Sequence, residues 1–366
     1  LNWERVVRAA EVHGVAPLLY AHLQRNRLLA VLPEAPRARL EGLAGAAALR
    51  ALKLRRELKS ILRAAGPAGL RPVVLKGAAL AEPVYGDWSV RPMADLDLLV
   101  GHEEVHTAEE VLRHLGYRPD LPEDEPARAQ EVRCFWERYH FHLPYVHPSK
   151  GTLVELHWNL LPSAWEGLFR WEGAPVRARA VEVVLAECPA LVLPPEDLLI
   201  HLALHHFSHG ATALAGFCDV GSVLRRYAGV LQWERLAARA HDAGAARVLA
   251  HALWWAGAFL QAPVSPAFPE QLCPGIERLG RRLAGGSPIV PPARVHNRWT
   301  ALHRQLALLP GLRWRLRFAR QALLPPPACA ALYVGGVPGW GRTLRFLLSP
   351  RRGLRAARAL LHVGRR

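Results

Sequence analysis

The sequence predicts an α+β protein in three parts: a helical N-terminal segment (1–66), a mixed-sheet core (67–190) and a basic helical C-terminal domain (191–366). Three observations carry this. Apolar residues recur at three- and four-residue spacing before Gly66 and again after Pro194. Short apolar runs alternate with helical stretches between those points. No acidic residue follows Glu277, whereas residues 278–366 hold 18 arginines and no lysine.

From Trp3 to about Ala65, Val6, Ala9 and Ala10, then Leu18, Leu19 and Leu23, mark helical faces. Gly66-Pro67-Ala68-Gly69 ends this segment, and Pro72-Val73-Val74-Leu75 reads as a short buried strand. A helix is predicted from about Ala78 to Tyr85. Asp95-Leu96-Asp97-Leu98-Leu99-Val100 turns apolar at its end, as a strand does on running from a cleft into a core. Helix signals span Glu103 to Leu115, with a stop at Gly116-Tyr117. Two further strands are predicted in the stretch from Glu131, one around Arg138 to Tyr145 and one from Thr152 to Trp158, joined through Pro148-Ser149-Lys150-Gly151. Pro194-Pro195-Glu196-Asp197 then opens the helical C-terminal part.

With 366 residues, half of them apolar, the chain can bury a core and form two or three domains. Its five cysteines are scattered and never form C-x-x-C, which argues against a disulfide framework or a structural zinc site and points to a cytoplasmic protein. The opening residues show no apolar run with a cleavage site. The most apolar stretch, Val248 to Leu260, is too short to cross a membrane and contains His251. The net charge of +16 resides in the last quarter, so the first 277 residues are close to neutral. Such a segment suits RNA or another anionic partner; with only four lysines against 43 arginines in the chain, it equally suits the codon usage of a GC-rich genome.

Residues i and i+2 of a strand share a face, so Asp95 and Asp97 present two carboxylates side by side. Like charges so placed call for a cation, and hard oxygen donors suit Mg²⁺ or Mn²⁺. Glu155 adds a third carboxylate on the strand face it shares with Leu153 and His157. Three carboxylates from two strands suffice for a two-metal site that activates an acceptor hydroxyl and neutralises a leaving pyrophosphate. Lys76, the Gly77 amide and Arg91 are the candidate phosphate-binding groups on the same edge.

Strand, glycine, helix, strand-borne D-x-D and a third acidic strand resemble the DNA polymerase β-like nucleotidyltransferase superfamily. More narrowly, Leu75-Lys76-Gly77-Ala78-Ala79-Leu80, Tyr85, Arg91, Asp95 to Val100 and Val154-Glu155-Leu156-His157-Trp158 resemble the bacterial family of uncharacterised nucleotidyltransferases. His13 to Leu19, His205 and His209 ahead of Asp219, and Leu323-Leu324-Pro325 are similar to it as well. The resemblance implies a polymerase β-like core and catalysis by Asp95, Asp97 and Glu155 with Mg²⁺ or Mn²⁺. It also implies an NTP donor, an acceptor of unspecified kind, and a nucleotide cleft bordered by His205, His209 and Asp219. Two departures stand out: Ala78 follows Gly77 where the superfamily has glycine or serine, and 17 residues separate Gly77 from Asp95, more than is usual there.

His201, His205 and His209 form one helical stripe, with His206 beside it. Such a stripe can bind zinc, but no glutamate of an H-E-x-x-H motif stands in it, so packed or cleft-facing histidines are the expectation. A non-catalytic alternative keeps the fold as a binding module whose arginine-rich end, with Trp314, Phe318 and Phe346, docks RNA, a protein or an anionic membrane.

Overall fold

The computed structural model describes residues 1–121, 126–162, 165, 167–285, 295 and 297–323. Arg351, Arg352, Arg355 and Arg358 of the basic end, together with Phe346 and Leu324-Pro325, lie outside the described residues.

The chain opens with helices α1 (Trp3–Val12), α2 (Ala16–Arg25) and α3 (Glu34–Ala65). Asn2 caps the first by accepting from the Arg5 amide at 3.0 Å. Seven strands then build one mixed sheet: β1 (Val73–Leu75), β2 (Asp95–Leu99), β3 (Arg118–Pro119), β4 (His142–His147), β5 (Thr152–His157), β6 (Val181–Leu185) and β7 (Cys188–Val192). Their order is β3-β4-β5-β2-β1-β7-β6. Strand β2 runs antiparallel to β1 and parallel to β5, while β1 runs parallel to β7. Helices α4 (Lys76–Ala81), α5 (Val105–His114), α6 (Pro126–Tyr139) and α7 (Gly173–Arg177) connect the strands. The C-terminal part comprises α8 (Pro195–Ser208), α9 (Leu214–Tyr227), α10 (Trp233–Asp242), α11 (Ala246–Leu260), α12 (Ala267–Leu272), α13 (Ile276–Ala284), α14 (Arg298–Leu308) and α15 (Gly311–Leu323).

Strand alternation sorts the sheet's side chains onto two faces. Leu96, Leu98, Val154 and Leu156 share a core with Leu54, Leu58 and Ile61 of α3 and Leu112 of α5. On the opposite face, Val73, Leu75 and Leu99 join a core made with α8 to α11. That second face also carries Asp95, Asp97, Glu155 and His157, at the seam between sheet and helices.

Two local expectations need correction, and one element was missed. The helix expected from Ala78 to Tyr85 is α4, which starts at Lys76 and ends at Ala81; Pro83 has no N–H with which to continue the helical ladder. The strand expected around Arg138 begins only at His142; residues up to Tyr139 belong to α6, whose Val132, Phe135 and Trp136 follow helical spacing. The β6–β7 hairpin was not anticipated, since its two-residue turn is Ala186-Glu187. Both residues have positive φ (49° and 63°), a conformation normally signalled by Asn-Gly. No helix among the described residues is long and apolar enough to cross a membrane.

Candidate active site

The register of β2 against β5 builds the site. Asp97 pairs with Glu155, Asp95 with Leu153 and Leu99 with His157, so the three carboxylates and the imidazole of His157 fall on one face. Strand β4 adds His142 opposite His157. On the other flank Leu75 pairs with Asp97, which delivers Lys76 to the carboxylates as the chain leaves the sheet. Lys76 makes that exit with φ +49°, a left-handed conformation that non-glycine residues rarely adopt and that here points to a functional constraint.

The Lys76 ammonium donates to Asp97 Oδ1 at 2.5 Å and lies 3.5 Å from Glu155 Oε2. His157 Nε2 is 3.0 Å from the same Asp97 oxygen and 3.4 Å from Glu155 Oε2. His142 Nε2 stands 3.7 Å from Glu155 Oε1, too far for a hydrogen bond. Asp97, Glu155, His142 and His157 are all buried, and Asp95 at the rim is half-buried.

Burial would lower the Lys76 ammonium, but Asp97, Glu155 and Asp95 outweigh it and hold the charge firmly. Burial would raise Glu155, yet Lys76 and the His157 hydrogen bond keep its carboxylate well below the usual range. His157 is raised despite burial by its bonds to Asp97 and Glu155. Asp95 is pushed up to about 7, first by burial and then by the neighbouring charges of Asp97 and Glu155, which Lys76 and Arg91 offset only in part. The cluster thus gathers three carboxylates on one face, two of them already bonded to Lys76 and His157. Its hard oxygen donors therefore fit a divalent ion.

Asp95, Asp97, Glu155 and His142 line a cleft of about 510 Å³, with Lys76, Gly77 and Arg91 in its wall. The Arg91 guanidinium meets Asp219 through Nη2 at 2.8 Å and Nε at 3.3 Å, and Tyr85 OH donates to Asp219 Oδ1 at 2.7 Å. Asp219, buried, therefore stands behind Arg91 and fixes it. Gly77 lets that guanidinium approach: a Cβ there would lie 2.9 Å from Arg91 Nη1 and 3.1 Å from Met93 Cβ.

Helix α8 closes the cleft from above with His201 and His205, and His209 caps its end. The rings of His205 and His209 meet edge-on at 4.6 Å. His206 turns away and packs on Phe217 at 4.4 Å. The far wall holds Trp165, Trp299 and Phe318, with the Arg298 guanidinium 4.7 Å from the Trp299 ring.

The structure thus brings together Asp95, Asp97, Glu155, Lys76, Gly77, Arg91, His205 and His209 around one cleft, with Asp219 one layer back. It adds His142 and His157, which the sequence reading assigned no role. His157 was within reach of that reading, because it shares the Glu155 face. His142 required the β4–β5 register.

Residues 1–261 match the profile of a family described as uncharacterised nucleotidyltransferase. No curated protein matches the chain. Among solved structures, the antibiotic-resistance factor ANT(2'')-Ia is similar at 15% identity over 51% of this chain and 89% of its own, with a TM-score of 0.35. The family match spans well over half the sequence, and the chain therefore belongs to the uncharacterised nucleotidyltransferase family.

Proposed function

We propose that this nucleotidyltransferase is metal-dependent and moves a nucleotidyl group from an NTP to an acceptor held in the cleft. The observation that carries this reading is the set of three carboxylates which β2 and β5 present on one face at the cleft floor. Asp95, Asp97 and Glu155 would hold Mg²⁺ or Mn²⁺, which supplies charge neutralisation to the triphosphate and acidifies an acceptor hydroxyl.

The chain's own groups divide the remaining work. Glu155, kept ionised by Lys76 and His157, would complete the metal site beside the acceptor hydroxyl, whose proton passes to water. The acceptor oxygen bonds to the α-phosphorus, the bond to the β-phosphate bridge breaks, and pyrophosphate leaves. Lys76, the Gly77 amide and Arg91 meet the phosphates, with Arg91 held in place by Asp219 and Tyr85. His205 and His209 border the nucleotide from α8.

Trp165, Trp299 and Phe318 offer flat apolar faces opposite the carboxylates. Among the described residues of the cleft, the only carboxylates are the three on the sheet. This supports an acceptor with planar or apolar character over a polycationic one. Incubation with each of the four α-labelled NTPs, Mg²⁺ or Mn²⁺ and a small-molecule extract tests the reading. Label should pass to an extract component, with release of pyrophosphate, only when metal is present. Failure of every NTP to yield labelled product would refute it.

A further inference from the structure

We propose that His142, His157 and Glu155 form a nitrogen-bearing metal subsite beside the aspartate pair, fitted to Zn²⁺ rather than Mg²⁺. The inference deepens the reading of the β2–β5 face as a metal site and rests on it for the place of Glu155.

The donor atoms already stand near the necessary spacing. Each of the three residues offers one ligand atom, and these lie within 4.8 Å of one another. Glu155 Oε2 lies 3.4 Å from His157 Nε2, Glu155 Oε1 lies 3.7 Å from His142 Nε2, and His157 Nε2 is 3.0 Å from Asp97. Donors around an ion with bonds of about 2.0–2.1 Å stand about 3.0–3.4 Å apart, so closure requires only small side-chain shifts.

A second observation points to a ligand independently of that spacing. His142 is 4% exposed, and neither of its ring nitrogens has a hydrogen-bond partner. Buried polar groups ordinarily find partners, and an orphaned imidazole lining a cleft is a lone pair aimed at something. Phe141 meets the His142 ring edge-on at 4.5 Å, which restricts its orientation. His157 Nε2 bonds to Asp97, and the proton it shares there leaves to solvent when the ion binds. Lys76 faces Glu155 Oε2, whereas Oε1 is turned toward His142, so ammonium and metal do not compete for every oxygen. Imidazole donors favour Zn²⁺ over Mg²⁺, which prefers oxygen alone. His201 has two orphaned nitrogens too, but no carboxylate pairs with it, so it carries no comparable site.

The test is a Zn²⁺ titration of the metal-stripped full chain by calorimetry, paired with X-ray absorption at the zinc edge. The expected result is one tight equivalent with two imidazoles in the first shell. His142→Phe, which keeps ring volume without nitrogen, should weaken Zn²⁺ by about ten-fold or more and remove one imidazole. An oxygen-only shell in the wild type, or equal Zn²⁺ affinity in His142→Phe, overturns the subsite. If His142→Phe does not fold, the wild-type absorption spectrum decides alone. Oxygen-only binding together with Mg²⁺-dependent transfer removes the subsite and leaves the carboxylate reading standing; absence of any divalent binding removes both.

Discussion

Buried histidine behaves oppositely in two settings of this molecule, at His157 on the sheet and at His206 and His251 in the helical core. His157, on the sheet, is raised because Asp97 and Glu155 bond to it and overcome its burial. His206 and His251, in the helical core, are lowered by burial, and the nearby Arg304 adds to the effect. Burial is common to all three. The sign of the neighbouring charge decides whether an imidazole joins an ionic network or serves as neutral packing.

The largest effect that would sharpen this contrast is expected at the sheet. Glu155→Gln removes the anion that Lys76, His142 and His157 all face, and should lower kcat by about 10²–10³-fold while NTP binding persists. Calorimetry beside steady-state kinetics checks it; NTP binding lost along with turnover would contradict the assigned role.

In the helical core the expected signature is acid lability. His251 is lowered to about 3 and His206 well below its usual value, while both titrate near 6.5 when unfolded. The unfolded state therefore takes protons first. The stabilisation from neutral packing is complete above about pH 6.5 and declines as pH falls toward 3, by up to about 1.4 kcal/mol per pH unit for each histidine. His251→Leu should flatten the acid limb measured by chemical denaturation. An unchanged limb would show that the core histidines do not govern it.

A smaller effect belongs to Gly77. An added Cβ meets an Arg91 that Asp219 holds at two points, so the guanidinium cannot easily yield. Gly77→Ala should cost about 1–3 kcal/mol and raise the KM for NTP. Unaltered stability and KM would mean that Arg91 moves freely.

The smallest expected change separates the two aspartates of the D-x-D. Asp95 bears burial and then repulsion from Asp97 and Glu155 that Lys76 and Arg91 offset only in part, whereas Asp97 accepts from Lys76 and His157. Asp95→Asn should raise the metal-free Tm by about 2 °C, the scale of about 1 kcal/mol in a large chain, and Asp97→Asn should lower it. Equal shifts in the two variants would remove the distinction.

The sequence made the carboxylate face legible because strand alternation has a fixed period: Asp95, Asp97 and Glu155 had to point one way within their strands. It also showed which segments were helical at both ends. Which strand neighbours which was not legible, since hydrogen-bond register joins residues 58 positions apart, as in Asp97↔Glu155 and Leu99↔His157. His142 stayed hidden for that reason. The Ala186-Glu187 turn was silent because neither residue type announces positive φ. Asp219 was legible as a site residue by resemblance, but its partnership with Arg91 across 128 positions is a product of packing.

The central claim is that the carboxylates on β2 and β5 hold the metal on which transfer depends. Its most direct test is transfer of α-label from the preferred NTP by the wild type and by Asp97→Asn, side by side, at saturating Mg²⁺ or Mn²⁺. The account predicts metal-dependent transfer by the wild type and a fall of about 10³-fold in the variant, the loss of several kcal/mol of charge stabilisation. Equal turnover by the two proteins would contradict it.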